Sequence, residues 1–269
     1  MKMNPPIRLV ALDLDGTLLR SDKTISARTL QTIQTAREQG VIVAIATGRM
    51  YSTARSYGKL LGLGDMPMVL YAGGLIQTVE TGRKLYEKTI SVEDAQTLLT
   101  IAKEKGWQMQ TYIDDVLRAA VSEHWIQEYE RKTGAHAVIC GEDFYHPQGP
   151  CNKILSRGSH EELLQRKAYI EEHMPGKLQV LFSEDTFLEI MPTQVDKGRG
   201  LQRLADLFGV PIEETMAAGD SQNDIDMLKA AGLSVAMENA HDEIKAAADC
   251  VTASNDADGV AQAIEKFVL

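Results

Sequence analysis

IRLVALDLDGTL, residues 7–18, begins with an aliphatic run and ends in two aspartates followed by glycine. The run from Ile7 to Leu14 is rich in aliphatic and β-branched residues and shows no polar alternation before Asp13, which is typical of a strand buried on both faces. The Asp-Gly-Thr that follows predicts a turn. A buried opening strand of this kind points to an α/β fold with a parallel sheet.

The next segments repeat a strand and helix rhythm. Ser26 is suited to cap a helix that ends at Gly40, and VIVAIAT, residues 41–47, predicts a second buried strand. A strand, a helix and a strand with short connections favour parallel pairing through a right-handed crossover. PMVLYAGG, residues 67–74, predicts a third strand of the same sheet.

The pattern changes after residue 84. KLYEKTI, residues 84–90, and WQMQTYI, residues 107–113, predict strands with one solvent-exposed face, and Ser91 starts the helix between them. SHEELLQRKAYIEEHM, residues 159–174, predicts a helix, and residues 177–192 predict a hairpin that turns at Glu184 and Asp185. This stretch therefore indicates a separate α+β module.

The first rhythm returns near the end of the chain, with predicted helices at 198–208, 223–231 and 256–268 and strands at 215–218 and 233–237. The sequence therefore predicts an α/β protein whose parallel-sheet core comprises residues 1–84 and 193–269. Residues 85–192 form an inserted α+β domain in this interpretation. Ligands of such sheets bind at the carboxyl ends of the strands, so the residues after each core strand are the candidate site.

Composition limits the classes of ligand. The 269 residues carry a formal net charge of -10, which disfavours binding to nucleic acid or to an anionic membrane surface. A small phosphate ligand would then need a few placed cations or a bound metal. The three cysteines show no C-x-x-C spacing, and neither a signal peptide nor a bilayer-spanning stretch is evident, so we expect a cytoplasmic protein.

Polar residues follow four predicted core strands or open the helices after them. Asp13 and Asp15 repel each other unless a cation lies between them, although a polar loop with capping aspartates explains this segment equally well by itself. Thr47 and Gly48 offer a hydroxyl and turn amides to phosphate oxygens. Lys197 opens a helix, and the segment from Gly219 to Asp224 adds two more acids at a strand end.

These pieces resemble the haloacid dehalogenase superfamily and its Cof-type phosphatase branch. The matching segments are DLDGTL at 13–18, TGR at 47–49, KG at 197–198, GDSQND at 219–224 and AMENA at 236–240. They occur in family order and span the whole chain. The resemblance implies a Rossmann-like core with an inserted α+β cap domain, and a phosphatase that acts on small phosphorylated metabolites.

The resemblance also implies roles for individual residues. Asp13 is the nucleophile that forms an aspartyl phosphate, and Asp15 is the general acid that later activates water. Mg²⁺ is the expected cofactor, held by the Asp13 carboxylate, the backbone carbonyl of Asp15 and Asp220, with support from Asp224. The residues expected to bind the phosphoryl oxygens are Thr47, Gly48, Lys197 and Asn223.

One position departs from the family pattern. The branch often has Asn-Gly after the third core strand, where this chain has Ala72-Gly73. This departure removes the basis for a side-chain contact to substrate from position 72 and leaves its backbone able to contribute.

Three functions remain open at this stage. The first is a phosphatase acting on sugar phosphates, pyridoxal phosphate or flavin mononucleotide. The second is a phosphomutase or phosphotransferase that passes the aspartyl phosphate to another hydroxyl. The third is a non-enzymatic phospho-sensor, which Asp15 argues against, because an acid/base beside the phosphate shortens the life of the signal.

Overall fold

The computed structural model describes residues 6–269. The chain divides into two compact units. The described part of the first unit comprises residues 6–49, 54–86 and 196–269, and the second comprises residues 50–53 and 87–195. Within residues 6–269, no helix is both long and apolar enough to cross a membrane. The expectation about a signal peptide rests in part on residues 1–5, which lie outside the described residues.

The chain alternates between strands and helices. The strands are β1 Leu9–Leu12, β2 Ile42–Ile45, β3 Pro67–Leu70, β4 Leu75–Thr78, β5 Lys84–Glu87, β6 Gln108–Ile113, β7 Val116–Ala119, β8 Ala137–Ile139, β9 Lys153–Arg157, β10 Leu178–Glu184, β11 Phe187–Pro192, β12 Thr215–Gly219, β13 Leu233–Ala236 and β14 Cys250–Val251. The helices are α1 Ala27–Glu38, α2 Tyr51–Leu60, α3 Val92–Lys105, α4 His124–Thr133, α5 His160–His173, α6 Lys197–Phe208, α7 Ile225–Ala230, α8 Asp242–Ala247 and α9 Gly259–Phe267.

The first unit is built on a parallel sheet with strand order β14-β13-β12-β1-β2. Leu12 of β1 lies opposite Ala218 of β12 on one side and Ile45 of β2 on the other. A single parallel bridge between Ala46 and Val69 brings β3 beside β2. The carboxyl ends of these four neighbouring strands therefore meet at one edge of the sheet.

The predicted burial of β1 is confirmed, since none of its four residues is exposed. Leu9 and Ala11 pack on one face of the sheet against Leu201 of α6 and Met227 of α7. Val10 and Leu12 point to the opposite face because side chains alternate along a strand. Burial on both faces removes any polar alternation from the strand, which explains the continuous aliphatic run.

Two predictions about this unit need correction. The predicted third strand ends at Leu70, where the chain reverses into antiparallel β4. The strand KLYEKTI was assigned to the insert, but β5 forms a three-stranded sheet with β3 and β4. Leu85 and Tyr86 pack against the core of the first unit, because hydrogen bonds to β4 hold their strand there.

The second unit contains a six-stranded sheet of order β10-β11-β9-β6-β7-β8. Its neighbours pair antiparallel except β7 and β8, and the predicted hairpin is confirmed as β10 and β11. Leu98 of α3 and Leu163 of α5 pack with Ile154 in a single hydrophobic cluster. This unit thus has its own core and its own sheet.

The prediction of an exposed face on β6 was wrong. Gln110 and Tyr112 belong to that face, and both are buried. Tyr112 donates a hydrogen bond to Tyr129 Oη of α4 at 2.6 Å, and Gln110 Nε2 donates to Tyr112 Oη at 2.8 Å. The polar residues on this face of β6 are therefore buried and hydrogen-bonded beneath α4, a helix that was not predicted.

Candidate active site

A buried lysine joins two of the predicted aspartates. Lys197 Nζ donates to Asp13 Oδ1 and to Asp224 Oδ1, each at 2.6 Å. Lys197 is 0% exposed, and it is the first residue of α6. Asp13 follows β1, and Asp224 stands before α7, so three distant segments of chain meet here. Charges buried this deeply require partners, and each of these has one.

The loop after β12 supplies the other acid. Asp220 Oδ1 accepts a hydrogen bond from Thr17 Oγ1 at 2.7 Å. Gly16 has a positive φ of 83°, and a Cβ there would lie 2.3 Å from Asp220 Oδ2. Glycine at position 16 therefore lets the loops after β1 and β12 approach each other closely.

The neighbouring charges shift the ionisation of the site. Burial raises the pKa of Asp220 to about 6, with Asp224 adding to the rise and Thr17 opposing it. Burial also raises the pKa of Asp13, which Lys197 opposes and Asp224 and Asp220 reinforce. Burial by itself lowers the pKa of Lys197, but Asp13 and Asp224 raise it above its usual range. Lys197 is therefore protonated, and the carboxylates around it are crowded.

The crowded carboxylates fit a divalent cation. Asp13, Asp220 and Asp224 each offer an oxygen, and these oxygens lie within 4.8 Å of one another. Several carboxylate oxygens around one point are the ligand set that Mg²⁺ and Ca²⁺ prefer. A cation among them would relieve the repulsion that, in addition to burial, raises the pKa values of Asp13 and Asp220. These carboxylate oxygens therefore suit the expected Mg²⁺.

The carboxylate of Asp15 lies outside this cluster because it is bound elsewhere. Arg49 Nε donates to Asp15 Oδ2 at 2.6 Å and Arg49 Nη2 to Oδ1 at 2.7 Å, while Lys23 Nζ donates to Oδ1 at 2.9 Å. Burial would raise the pKa of Asp15, but the hydrogen bonds and charges of Arg49 and Lys23 lower it to about 2. Asp15 is therefore an ionised carboxylate in this structure.

The predicted phosphate ligands flank the cluster. Thr47 is buried two residues after the end of β2, and its amide donates to Val69 O at 2.8 Å. A Cβ at Gly48 would lie 3.9 Å from Asn223 Nδ2, so Gly48 and the Asn223 amide lie close together. The structure therefore brings the loops after β2 and β12 to the same edge as Asp13. The roles of these residues stay predictions.

The turn after β3 has an unusual backbone conformation. Tyr71, Ala72 and Gly73 have φ values of 48°, 51° and 101°, a left-handed conformation that is unusual for residues with a Cβ. The amide of Ala72 donates to Thr47 O at 3.0 Å. This amide therefore makes a structural hydrogen bond between the loops after β2 and β3.

Known proteins are similar to this chain in sequence and in fold. The family model for haloacid dehalogenase-like hydrolases matches residues 10–264, almost the whole chain. The chain belongs to this family. The 5-amino-6-(5-phospho-D-ribitylamino)uracil phosphatase YitU of Bacillus subtilis strain 168 is 32% identical over 271 residues, which cover 96% of this chain and 97% of YitU.

Two further relatives agree with the assignment to this hydrolase family. The crystal structure of a haloacid dehalogenase-like hydrolase from Bacteroides thetaiotaomicron has a TM-score of 0.89 and 32% identity, and the match covers 97% of this chain and 99% of that one. The HMP-PP phosphatase of Serratia proteamaculans strain 568 is 29% identical over 240 residues, 88% of this chain and 86% of that protein. The chain is accordingly a phosphatase with the predicted α/β fold, a parallel-sheet core and an inserted α+β cap.

Two site features of this hydrolase were missed in the sequence. Arg49 was read as part of a motif and given no role, although it binds both oxygens of Asp15. Asn239 was noted only within AMENA, yet its Nδ2 donates to the carbonyl of Gly16 at 2.8 Å and so ties down the loop after β1. A charged residue following a Thr-Gly turn could have indicated the first, but no local signal indicates the second.

Proposed function

We propose that this phosphatase depends on Mg²⁺ and forms an aspartyl phosphate on Asp13. One observation carries the proposal: Lys197 Nζ bridges Asp13 and Asp224 at 2.6 Å, with Asp220 in the same group of carboxylates. This arrangement places positive charge against the candidate nucleophile. Asp13, Asp220 and the carbonyl of Asp15 would hold the metal, and Asp224 would support it.

In the first half-reaction, a carboxylate oxygen of Asp13 attacks phosphorus, and the bond from phosphorus to the leaving oxygen breaks. Asp15 gives its proton to that oxygen. In the second half-reaction Asp15 takes a proton from water, water oxygen bonds to phosphorus, and phosphate leaves Asp13. Thr47, Gly48, Asn223 and Lys197 hold the phosphoryl oxygens throughout.

The energetic demand explains why several groups are needed. Hydrolysis of phosphate monoesters is among the slowest uncatalysed reactions, with enzymatic accelerations of up to ~10²¹. Positioning contributes about 7–11 kcal/mol, so much of the remainder comes from neutralising charge. Mg²⁺, when bound, supplies that neutralisation between the anionic substrate and Asp13. Lys197 supplies a second positive charge that is already in place.

We propose a small phosphorylated metabolite as the substrate, with sugar phosphates first and pyridoxal phosphate or flavin mononucleotide as further candidates. The name of the Bacillus relative, a phosphatase of a phosphoribitylamino compound, supports an alkyl phosphate on a polyol. The insert, predicted at 85–192, is the proposed cap that selects the substrate. We also keep the prediction of a cytoplasmic protein without nucleic-acid or membrane partners.

A phosphotransferase is the second candidate for the same site. It shares every step up to the aspartyl phosphate and differs in the acceptor. Added sugar acceptors that capture the phosphoryl group in preference to water would favour it. A phospho-sensor is disfavoured because Asp15 lies two residues from the proposed nucleophile, and the family match is to hydrolases.

The test combines turnover with trapping of the intermediate. Wild type should hydrolyse p-nitrophenyl phosphate and a panel of sugar phosphates with added Mg²⁺ and lose activity in EDTA. Acid quenching should trap labelled phosphate on the wild type. Asp13→Asn should abolish both signals while its circular dichroism spectrum stays native, and Asp226→Asn, at an exposed position of helix α7, should retain both. Turnover by Asp13→Asn would exclude the mechanism.

A further inference from the structure

Arg49 holds the carboxylate of Asp15 with two parallel contacts. Nε reaches Oδ2 at 2.6 Å and Nη2 reaches Oδ1 at 2.7 Å, so the planar guanidinium matches the planar carboxylate. A two-point contact fixes the direction of the carboxylate, which a single contact leaves free to rotate. Arg49 therefore decides where the oxygens of Asp15 point.

Arg49 is itself held firmly. Its side chain is 11% exposed, and its guanidinium lies over the Tyr57 ring at 5.2 Å from the centroid. Its amide donates to Thr47 Oγ1 at 3.2 Å, and its carbonyl accepts from the amide of Tyr71 at 3.1 Å. Arg49 thus links Asp15 rigidly to the loop that carries Thr47.

Lys23 also binds Asp15, but it is the weaker constraint. It makes one contact, to Oδ1 at 2.9 Å, and its side chain is 46% exposed. Ion pairs of exposed lysines contribute little to stability and leave the side chain mobile. Orientation of Asp15 therefore depends on Arg49 and little on Lys23.

The contacts also distinguish the two oxygens of Asp15. Oδ1 accepts from both Arg49 Nη2 and Lys23 Nζ, whereas Oδ2 accepts from Arg49 Nε. Each carboxylate oxygen accepts about two hydrogen bonds, so Oδ2 keeps the capacity to take a proton. The acceptor position left on Oδ2 therefore suits a carboxylate that takes up a proton while Arg49 keeps its orientation.

We propose that Arg49 is a positioning residue for the second half-reaction, in which it orients Asp15 Oδ2 to take the proton from water. This inference rests on the proposed function, since it acts through Asp15 and the aspartyl phosphate. Water oxygen bonds to phosphorus, its proton moves to Oδ2, and the bond from phosphorus to Asp13 breaks. Protonated Asp15 then serves as the acid for the next substrate.

The experiment determines which half-reaction, formation or breakdown of the phosphoenzyme, limits turnover. Rapid mixing with p-nitrophenyl phosphate reports the burst of p-nitrophenol, and acid quenching reports the phosphoenzyme. In Arg49→Ala we expect turnover to fall about tenfold to hundredfold, which does not exceed the lower end of the ~10²–10⁴ contribution of general acid–base catalysis, because Asp15 itself is still present. The burst should approach one p-nitrophenol per site, and the phosphoenzyme fraction should rise above wild type. Guanidinium chloride at millimolar concentration should restore part of the turnover.

Matched variants separate positioning from general damage. Arg55→Ala removes an arginine of α2 that donates to the carbonyls of Val79 and Glu80, and it should leave the phosphoenzyme fraction unchanged. Arg49→Lys keeps the charge but not the two-point contact, so its phosphoenzyme fraction should lie between those of wild type and Arg49→Ala. Arg49→Lys also serves as the test if Arg49→Ala does not fold. Lys23→Ala should change turnover less than threefold, on the order expected for an exposed pair.

The outcomes distinguish this inference from the proposed function. Asp15→Asn should also accumulate phosphoenzyme, because p-nitrophenolate leaves without a proton donor. If Asp15→Asn accumulates it and the Arg49 variants do not, the inference about Arg49 is wrong and the proposed function stands. If neither wild type nor Asp15→Asn forms phosphoenzyme, the proposed function fails, and the role of Arg49 fails with it.

Discussion

At the scale of single residues, Asp224 is the acid with the most contacts at the site. Its Oδ1 accepts from Lys197, and its Oδ2 accepts from the amides of Asp220 and Ser221 and from Ser221 Oγ. These contacts shape the loop that carries Asp220 and Asn223. Asp224 therefore holds the loop in place in addition to contributing negative charge to the site. This agrees with a role in supporting the metal ligands and not in reacting with the substrate.

Removal of Asp224 should cost stability. We expect Asp224→Ala to lower the free energy of unfolding by about 3–5 kcal/mol, because Lys197 loses a buried partner and two amides lose their acceptor. Urea unfolding at pH 7 measures the change. Asp226→Ala, two residues away and exposed, should stay within about 0.5 kcal/mol of wild type. Equal losses of stability in Asp224→Ala and Asp226→Ala would contradict the structural role of Asp224.

At the scale of elements, the ends of helices and loops are held by side chains that the sequence makes visible. Ser91 Oγ accepts the amide of Asp94 at the start of α3, and Asp94 Oδ2 accepts from Ser91 Oγ at 2.7 Å. Lys177 Nζ adds a contact to Asp94 Oδ1 at 2.7 Å. The start of α3 thus has an N-cap at Ser91, and the ion pair between Lys177 and Asp94 stabilises it further.

The cap of α3 should show a defined pH dependence. Lys177 first, and then the hydrogen bond from Ser91, lower the pKa of Asp94 below 3.8 in the folded chain. A carboxyl group with a lowered folded pKa stabilises the fold above its unfolded pKa and loses that contribution as pH falls through the folded value. Ser91→Ala should cost about 1 kcal/mol at pH 7.

Urea titrations at pH 7 and pH 3 measure this effect. The stability difference between wild type and Asp94→Asn should shrink at the lower pH. Glu93→Gln, on the same first turn, is the control, because it removes a charge near Lys177 and leaves the hydrogen bonds of Asp94 to Ser91 and Lys177 in place. A difference for Asp94→Asn that stays constant with pH would argue against the ion pair.

At the scale of the whole molecule, the first unit holds the site at the edge of its parallel sheet. Three carboxylates with oxygens within 4.8 Å of one another lie in a chain of net charge -10. Mutual repulsion of this kind destabilises the folded chain unless positive charge offsets it. Lys197 offsets part of it, and the proposed metal would offset the rest.

Magnesium should therefore raise the stability of the protein. A ligand that binds the folded state alone adds about 2.7 kcal/mol at a hundredfold excess over its Kd. Thermal unfolding with Mg²⁺, and with NaCl at matched ionic strength, measures the effect. Asp220→Asn should abolish the magnesium-specific rise. A rise of the same size in Asp220→Asn would place the cation elsewhere.

The sequence predicted much of the fold because local patterns record burial. The continuous aliphatic run of β1, the cap at Ser26 and the hairpin of β10 and β11 were all identified from periodicity and turn residues. The failures have a common cause. The assignment of β5 and the burial of Gln110 on β6 depend on which segment lies alongside, and no local pattern carries that information.

The sequence by itself determined the family, the order of the strands and helices around the site, and the residue types at the strand ends, because these follow from local composition and motif order. Only the tertiary structure decided that Lys197 bridges Asp13 and Asp224, and that Arg49 holds Asp15 away from the carboxylate cluster. These contacts join residues 27 to 184 positions apart in the chain, so they depend on how strands pair and helices pack. Side-chain direction at angstrom scale has no signature in local sequence.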